Sequence, residues 1–355
     1  MNEPLQLPLI DIDPIHEFPS TRFQGSKRKI VDWIWSNVRD LKFDTVLDVF
    51  GGTGVVSNLF KAAGKAVTYN DKLLFNWNIG YALIQNASIT LNPQDIETVI
   101  SQHHGIVYPT FIQSTFPNIY FTDEENAWLD RVTYNIDHLI TNPTKQALAR
   151  FALFQACIIK RPYNLFHRAN LYMRSAEVER SFGNKVTWDT PFETHFRNFV
   201  KEANAAVFDN GRTNTALHLD AMETPTGADL VYLDPPYLNA KGVGVDYRDF
   251  YHFLEGLVNY DIWDSLVDYR SRHRRLIPEQ SNWNSDKTIF EAFEAIIERH
   301  QKSIIVISYR DDGLPDKTTL IQLLKRYKSE VREAKHLQKY ALAKQASHEI
   351  LLIAQ

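Results

Sequence analysis

Thr45-Val46-Leu47-Asp48-Val49-Phe50-Gly51-Gly52-Thr53-Gly54 decides the fold. A short, mostly apolar run of strand formers goes without a break into a glycine loop, the mark of a buried strand. Beyond the glycines Val55, Val56, Leu59, Phe60 and Ala63 recur at helical spacing, and Gly64 stands where a C′ residue ends a helix. A second strand, Ala66-Val67-Thr68-Tyr69, then closes on Asn70-Asp71. Strand, glycine loop, helix, strand, acid is one βαβ unit, right-handed and parallel. The glycines let the backbone turn sharply and approach a ligand, and the helix N-terminus offers unpaired N–H groups. A carboxylate such as Asp71 at the end of the next strand suits the hydroxyls of a ribose. No Gly-Lys-Ser/Thr follows, so the loop is not a Walker A, and Ser57 makes it a poor dinucleotide fingerprint. Taken alone, the loop also reads as a tight βα turn without a ligand.

Outward from this unit the chain divides by composition. Residues 1–19, with Pro4, Pro8, Pro14 and Pro19, read as an extended arm, and an apolar helical stripe follows from Gly25 through Ile30, Val31, Ile34 and Val38. The span 90–215 is polar, aromatic and helical in pattern. It holds the densest basic stretch, in which Lys145, Arg150, Lys160, Arg161, Arg168, Arg174, Arg180 and Lys185 face only Glu177 and Glu179 as acids. The α/β pattern returns at Asp229-Leu230-Val231-Tyr232-Leu233, which runs into Asp234-Pro235-Pro236-Tyr237. A strand over 303–309, a helix over 317–327 and a last strand over 349–353 complete it, with no internal repeat. The prediction is an α/β domain with a mostly parallel sheet and a terminal antiparallel strand. Residues 1–90 and 216–355 form the domain, and 91–215 a helical insert.

Bulk properties bound the function. At 355 residues, 44% hydrophobic and 23% charged, the chain has ample material for a core and is not disordered by composition. Its one cysteine, Cys157, excludes an intramolecular disulfide and a cysteine-based zinc site, and the apolar run 152–159 around it reads as core. His103-His104 has no partners at metal-ligand spacing, so no metal site is predicted, and Trp33 and Trp35 read as packing. No apolar run approaches ~18 residues, so no membrane contact is expected and cytoplasmic is the default location. A net charge of −4 excludes a uniformly basic protein but not a local basic face.

The second anchor is chemical. Paired prolines stiffen the turn after a buried strand and hold Asp234 at the carboxyl end of the sheet, where α/β ligand sites lie. An acceptor carboxylate, the Pro235 carbonyl and the Tyr237 face together suit a planar base with an exocyclic amine.

Phe50-Gly51-Gly52-Thr53-Gly54 with Asp234-Pro235-Pro236-Tyr237, and Arg22-Phe23-Gln24-Gly25-Ser26-Lys27 upstream of both, resembles the D12, or alpha, class of N6-adenine DNA methyltransferases. The similarity extends over most of the chain and includes 160–171, 246–257 and Ser308-Tyr309-Arg310. It implies a Rossmann-like methyltransferase sheet with 91–215 as a target-recognition insert, S-adenosylmethionine as methyl donor and double-stranded DNA as partner. A cognate restriction endonuclease, and a monomer or weak dimer, belong to the same expectation.

By the resemblance, Lys27 holds the methionine carboxylate of the donor and Phe23 packs beside it. Asp48 and the Phe50, Gly51, Gly52, Thr53, Gly54 loop shape the methionine end, Asp71 binds the ribose, and Asp220 accepts the donor's adenine amine. Family members often carry an aromatic residue after that carboxylate, where this chain has Ala221. Asp234, Pro235, Pro236 and Tyr237 are the catalytic set, with Tyr237 stacked on the target base. Arg161, Arg168 and Arg174 are the expected DNA contacts, against the alternative of a solvated helical face. Arg270, Arg272, Arg274 and Arg275 form a second basic patch, open between an exposed loop and DNA contact, and 250–253 is open between base pocket and core. The rivals are a cytosine-N4 or RNA-adenine enzyme, a DNA-binding module without transfer, and a nicotinamide oxidoreductase. The spatial expectation is that the glycine loop and the Asp-Pro-Pro-Tyr loop meet at one rim of one sheet.

Overall fold

A computed structural model of the chain describes residues 18–20, 23, 25–176, 185–239, 242, 244–338 and 347–355. The expected arm lies outside the described residues up to position 17, as do Arg22, Gln24 and Arg180. The strands are β1 (Thr45–Asp48), β2 (Ala66–Asn70), β3 (Thr215–Leu217), β4 (Leu230–Leu233), β5 (Leu238–Asn239), β6 (Ile304–Arg310), β7 (Gly313–Leu314), β8 (Val331–Gln338) and β9 (Ser347–Ala354). Seven of them form one sheet in the order β3-β2-β1-β4-β6-β9-β8, and β5 and β7 pair separately. The strands from β3 to β6 run parallel. β9 is antiparallel to β6, and β8 to β9. The mostly parallel sheet with a terminal antiparallel strand is therefore present, with two strands more than the sequence suggested, the three-residue β3 at one edge and β8 at the other. β8 carries Arg332, Glu333, Lys335 and His336, polar residues that keep an exposed sheet edge from pairing further and hide it from an apolar-run reading.

Strand periodicity sorts the sheet into two faces. Val46, Tyr232, Val306, Leu351 and Ile353 join one hydrophobic cluster, while Leu47, Val231, Ile305, Ile307, Ile350 and Leu352 join the other. The first face is covered by Val31–Val38, Val55–Ala62 and Pro143–Ile159, the second by Ile289–Arg299 and Lys317–Leu324. Pro143–Ile159 starts on Pro143 with the Asn142 side chain accepting from Thr144 N and Lys145 N, and it buries Leu148, Phe151, Phe154 and Cys157. Those residues share a cluster with Val46 and Phe60, so the helices of 91–215 pack into the same core as the sheet. Among the described residues no helix is long and apolar enough to cross a membrane. Strand order reverses between β1 and β4, which opens a crevice at their carboxyl ends.

Candidate active site

β1 and β4 are hydrogen-bonded neighbours with Asp48 opposite Tyr232, and Val49 N donates to Tyr232 O at 3.1 Å. Both following loops therefore leave the same rim. Gly52 and Pro235 line one cavity of about 630 Å³, as do Phe23, Lys27, Asp48, Phe50, Gly51, Thr53, Asp71, Asp220, Asp234, Pro236 and Tyr237. Gly54 is the one residue of the loop that does not line it; it caps the helix Val55–Ala62 at φ +77°.

Close packing fixes the glycine loop. A Cβ on Gly51 would lie 2.1 Å from the Tyr69 ring, and Gly52 takes φ +51°. The Tyr69 hydroxyl sits 2.8 Å from Gly52 O and 2.9 Å from Asn76 O. Asp71 accepts from Gly52 N at 2.9 Å, Leu73 N at 2.8 Å and Asn76 Nδ2 at 3.2 Å. Burial raises its pKa, and the two backbone donors pull it part of the way back.

Asp48 is different. Its Oδ2 accepts from Ser57 Oγ at 2.6 Å, while its Oδ1 is buried and has no hydrogen-bond partner among the described residues. Burial pushes its pKa up to about 7. A buried acceptor on the cavity wall fits a ligand that brings a donor, such as an α-ammonium group.

Phe23 stacks on Phe75 at 6.0 Å and meets Tyr251 at 5.1 Å, and Phe50 packs edge-on to Trp283 at 4.8 Å. Asp220 accepts from Met222 N at 3.1 Å and Lys72 Nζ at 3.0 Å. Burial raises its pKa, but the hydrogen bonds from Lys72 and Met222 and the Lys72 charge together outweigh this and leave it below the ordinary value. Of the open aromatic run, Tyr251 borders the cavity and Phe253 is core.

Beside the Asp-Pro-Pro-Tyr loop Lys27 Nζ lies 2.7 Å from Asp234 Oδ1 and 3.3 Å from Glu349 Oε1, and it also donates to Tyr237 OH. Glu349 Oε1 takes Ser308 Oγ at 2.6 Å and Tyr237 OH at 2.8 Å. Burial lowers the Lys27 pKa, but the two carboxylates more than compensate and hold it above the ordinary value. Burial and Glu349 raise Asp234, with Lys27 opposing. An ammonium has three N–H groups. Those of Lys27 face two carboxylates and a hydroxyl, which makes Lys27 a counter-ion for Asp234 at the cavity wall. Tyr237 lines the cavity, but its hydroxyl belongs to this cluster, 2.8 Å from Asp234 Oδ1.

Sequence reasoning missed Glu349, which is fully buried near the start of β9. Strand alternation puts it on the face of Leu351, and Ser308 on the face of Val306.

The expected DNA contacts divide. Arg161 is 1% exposed; it donates to the carbonyls of Leu165, Tyr120 and Arg168 and to Asn170 Oδ1, and lies 4.3 Å from the Tyr120 ring. Arg174 is 8% exposed and clamps Glu125 at 2.8 and 2.7 Å. Both are spent on holding the insert together, so neither is a free phosphate contact. Arg168 is exposed and makes no ion pair among the described residues.

The pattern of the D12 class N6 adenine-specific DNA methyltransferases matches residues 23–258. The chain belongs to that family. It is 29% identical to the type II methyltransferase M2.HphI of Haemophilus parahaemolyticus, over 91% of this chain and 93% of that protein. It is 23% identical to M.NlaIII of Neisseria lactamica over 85% and 87% of the two chains. To M.FokI of Planomicrobium okeanokoites it is 24% identical, over 86% of this chain but 47% of the longer relative. Glu349 of this D12 methyltransferase lies beyond the matched segment.

Proposed function

We propose that this D12 methyltransferase transfers a methyl group from S-adenosylmethionine to adenine N6 within a specific duplex DNA sequence. One observation carries the reading: the glycine loop and the Asp-Pro-Pro-Tyr loop share one cavity, whose wall holds both Asp48 and Asp234. S-adenosylmethionine, when bound, supplies a methyl group activated on a sulfonium. In this reading Asp48 accepts from its ammonium, Asp71 takes the ribose hydroxyls, Asp220 the adenine amine, and Phe23 and Phe50 supply apolar walls.

The adenine N6 lone pair is delocalised into the ring and is a poor nucleophile. The Asp234 carboxylate and the Pro235 carbonyl accept its two N–H bonds and favour a more pyramidal nitrogen, while Pro236 keeps the turn rigid and Tyr237 walls the base. Lys27 keeps Asp234 ionised at its buried position. Positioning and fixed charges supply most of the acceleration.

A base inside the duplex cannot enter this cavity, so it is extruded at a cost of a few kcal/mol of unstacking. Residues 91–215 recognise the target and 1–90 with 216–355 catalyse, with Arg168 among the DNA contacts. The names of the relatives, type II methyltransferases, support a protective role beside a cognate restriction endonuclease, and a cytoplasmic monomer or weak dimer belongs to the same proposal. The test is transfer of tritiated methyl to duplex DNA followed by nucleoside analysis. N6-methyladenine is the expected product. N4-methylcytosine, or labelling of RNA instead of DNA, overturns the reading.

A further inference from the structure

With Arg161 and Arg174 buried, the charge that binds a polyanion must lie elsewhere. The chain from Leu266 to Ile277 is a hairpin: Val267 bridges Leu276 antiparallel, Ile277 N donates to Leu266 O at 2.7 Å, and Asp268 N to Arg275 O at 2.8 Å. Its base is apolar, and Leu266 and Leu276 line the active-site cavity. Its tip, 268–275, holds four arginines and one acid in a chain of net charge −4.

The tip is anchored. The buried Tyr120 hydroxyl sits 2.9 Å from His273 O and also donates to Phe166 O, which puts the hairpin beside the loop that carries exposed Arg168. Arg274, at φ +55°, folds its guanidinium over the Tyr269 ring at 5.3 Å. Arg275 and Arg270 both approach Asp268, at 3.5 and 3.3 Å, yet the Arg270 side chain is 95% exposed. Arg272 is exposed and makes no ion pair among the described residues. A braced turn thus presents Arg270 and Arg272 outward, on a hairpin whose base lines the cavity.

We propose that the 266–277 hairpin clamps the phosphate backbone of duplex DNA beside the extruded adenine, through Arg270 and Arg272. This rests on the DNA reading above and adds a contact surface beyond the matched segment 23–258. Phosphate contacts set affinity and salt dependence without reading sequence. The hairpin therefore acts on every site alike.

The test compares two double variants of the full chain, each losing the same charge. Arg270→Gln/Arg272→Gln alters the hairpin; Lys42→Gln/Lys302→Gln alters exposed lysines before β1 and β6, at the opposite rim of the sheet. The hairpin variant is expected to bind duplex DNA about tenfold more weakly, uniformly across sequences, with a log K against log salt slope shallower by about 2. S-adenosylmethionine affinity stays unchanged, and the lysine variant matches wild type. Equal weakening in both variants, an unchanged slope in the hairpin variant, or a loss confined to the recognition sequence each overturns the clamp. Failure of the wild-type protein to methylate duplex adenine counts against the DNA reading instead.

Discussion

Lys27 Nζ lies 2.7 Å from Asp234 Oδ1, across 207 positions of the chain. The contact ties the helical turn Lys27–Ile30 to the loop after β4, so the segment upstream of the glycine loop completes the acceptor end of the cavity. An ion pair this buried is a weak source of net stability but costly to break.

Lys27→Met is expected to destabilise the protein by about 3–5 kcal/mol in urea unfolding, because Asp234 and Glu349 then face each other without their shared ammonium. Adding Asp234→Asn restores part of the loss. Lys27 is held above its ordinary value, so its contribution is full below the unfolded pKa, ~10.4, and is lost as pH climbs through the higher folded pKa. A wild-type advantage that declines between pH 6 and 8 contradicts the assignment.

Asp48 makes donor binding pH-dependent near neutrality. Its pKa of about 7 means that below this pH a proton must leave before an ammonium is accepted. S-adenosylmethionine affinity, measured by calorimetry, should rise about tenfold per pH unit approaching 7 from below, then level. Asp48→Asn binds weakly with that rise removed. A rise that survives in Asp48→Asn shows that another group titrates.

Gly51→Ala places a methyl group where the Tyr69 ring already stands, 2.1 Å away. Overpacking of this kind costs about 1–3 kcal/mol. Because the shift falls on the loop that lines the cavity, donor affinity should fall as well, whereas Gly64→Ala, whose Cβ would meet nothing within 4 Å, leaves donor affinity alone. The readouts are the thermal midpoint and donor binding for both variants.

Arg161 and Arg168 separate scaffold from surface. Arg161→Ala orphans buried carbonyls and is expected to cost about 3 kcal/mol of stability. Arg168→Ala should change stability by no more than about 0.5 kcal/mol and make the salt slope of DNA binding shallower by about 1. The opposite pattern, a stable Arg161→Ala that has lost DNA, restores the insert arginine as a contact.

These cases also mark what the residues disclose in order. β1 and β4 are legible because both faces are buried, so each is a short, mostly apolar run followed by a glycine or proline turn, and that places the rim and both loops. Arg161 and Arg174 illustrate the reverse. A basic stretch looks exposed when its neighbours in sequence lack acids, but Glu125 neutralises Arg174 from 49 positions away and Arg161 is satisfied by carbonyls, which have no sequence signature. Glu349 reads as the polar start of a strand. Only the antiparallel placement of β9 against β6 brings it to the catalytic rim, and no local pattern encodes that pairing. β8 escaped notice for a related reason, since an edge strand is defended by the charges that disguise it.

The central claim is that Asp234 acts on the adenine amine inside the cavity that also holds the donor. The most direct measurement is single-turnover methyl transfer by Asp234→Asn, with 2-aminopurine at the target position reporting base extrusion in parallel. The variant is expected to bind S-adenosylmethionine and extrude the base as wild type does, yet to transfer methyl to adenine about 10²-fold or more slowly. Transfer at the wild-type rate contradicts it.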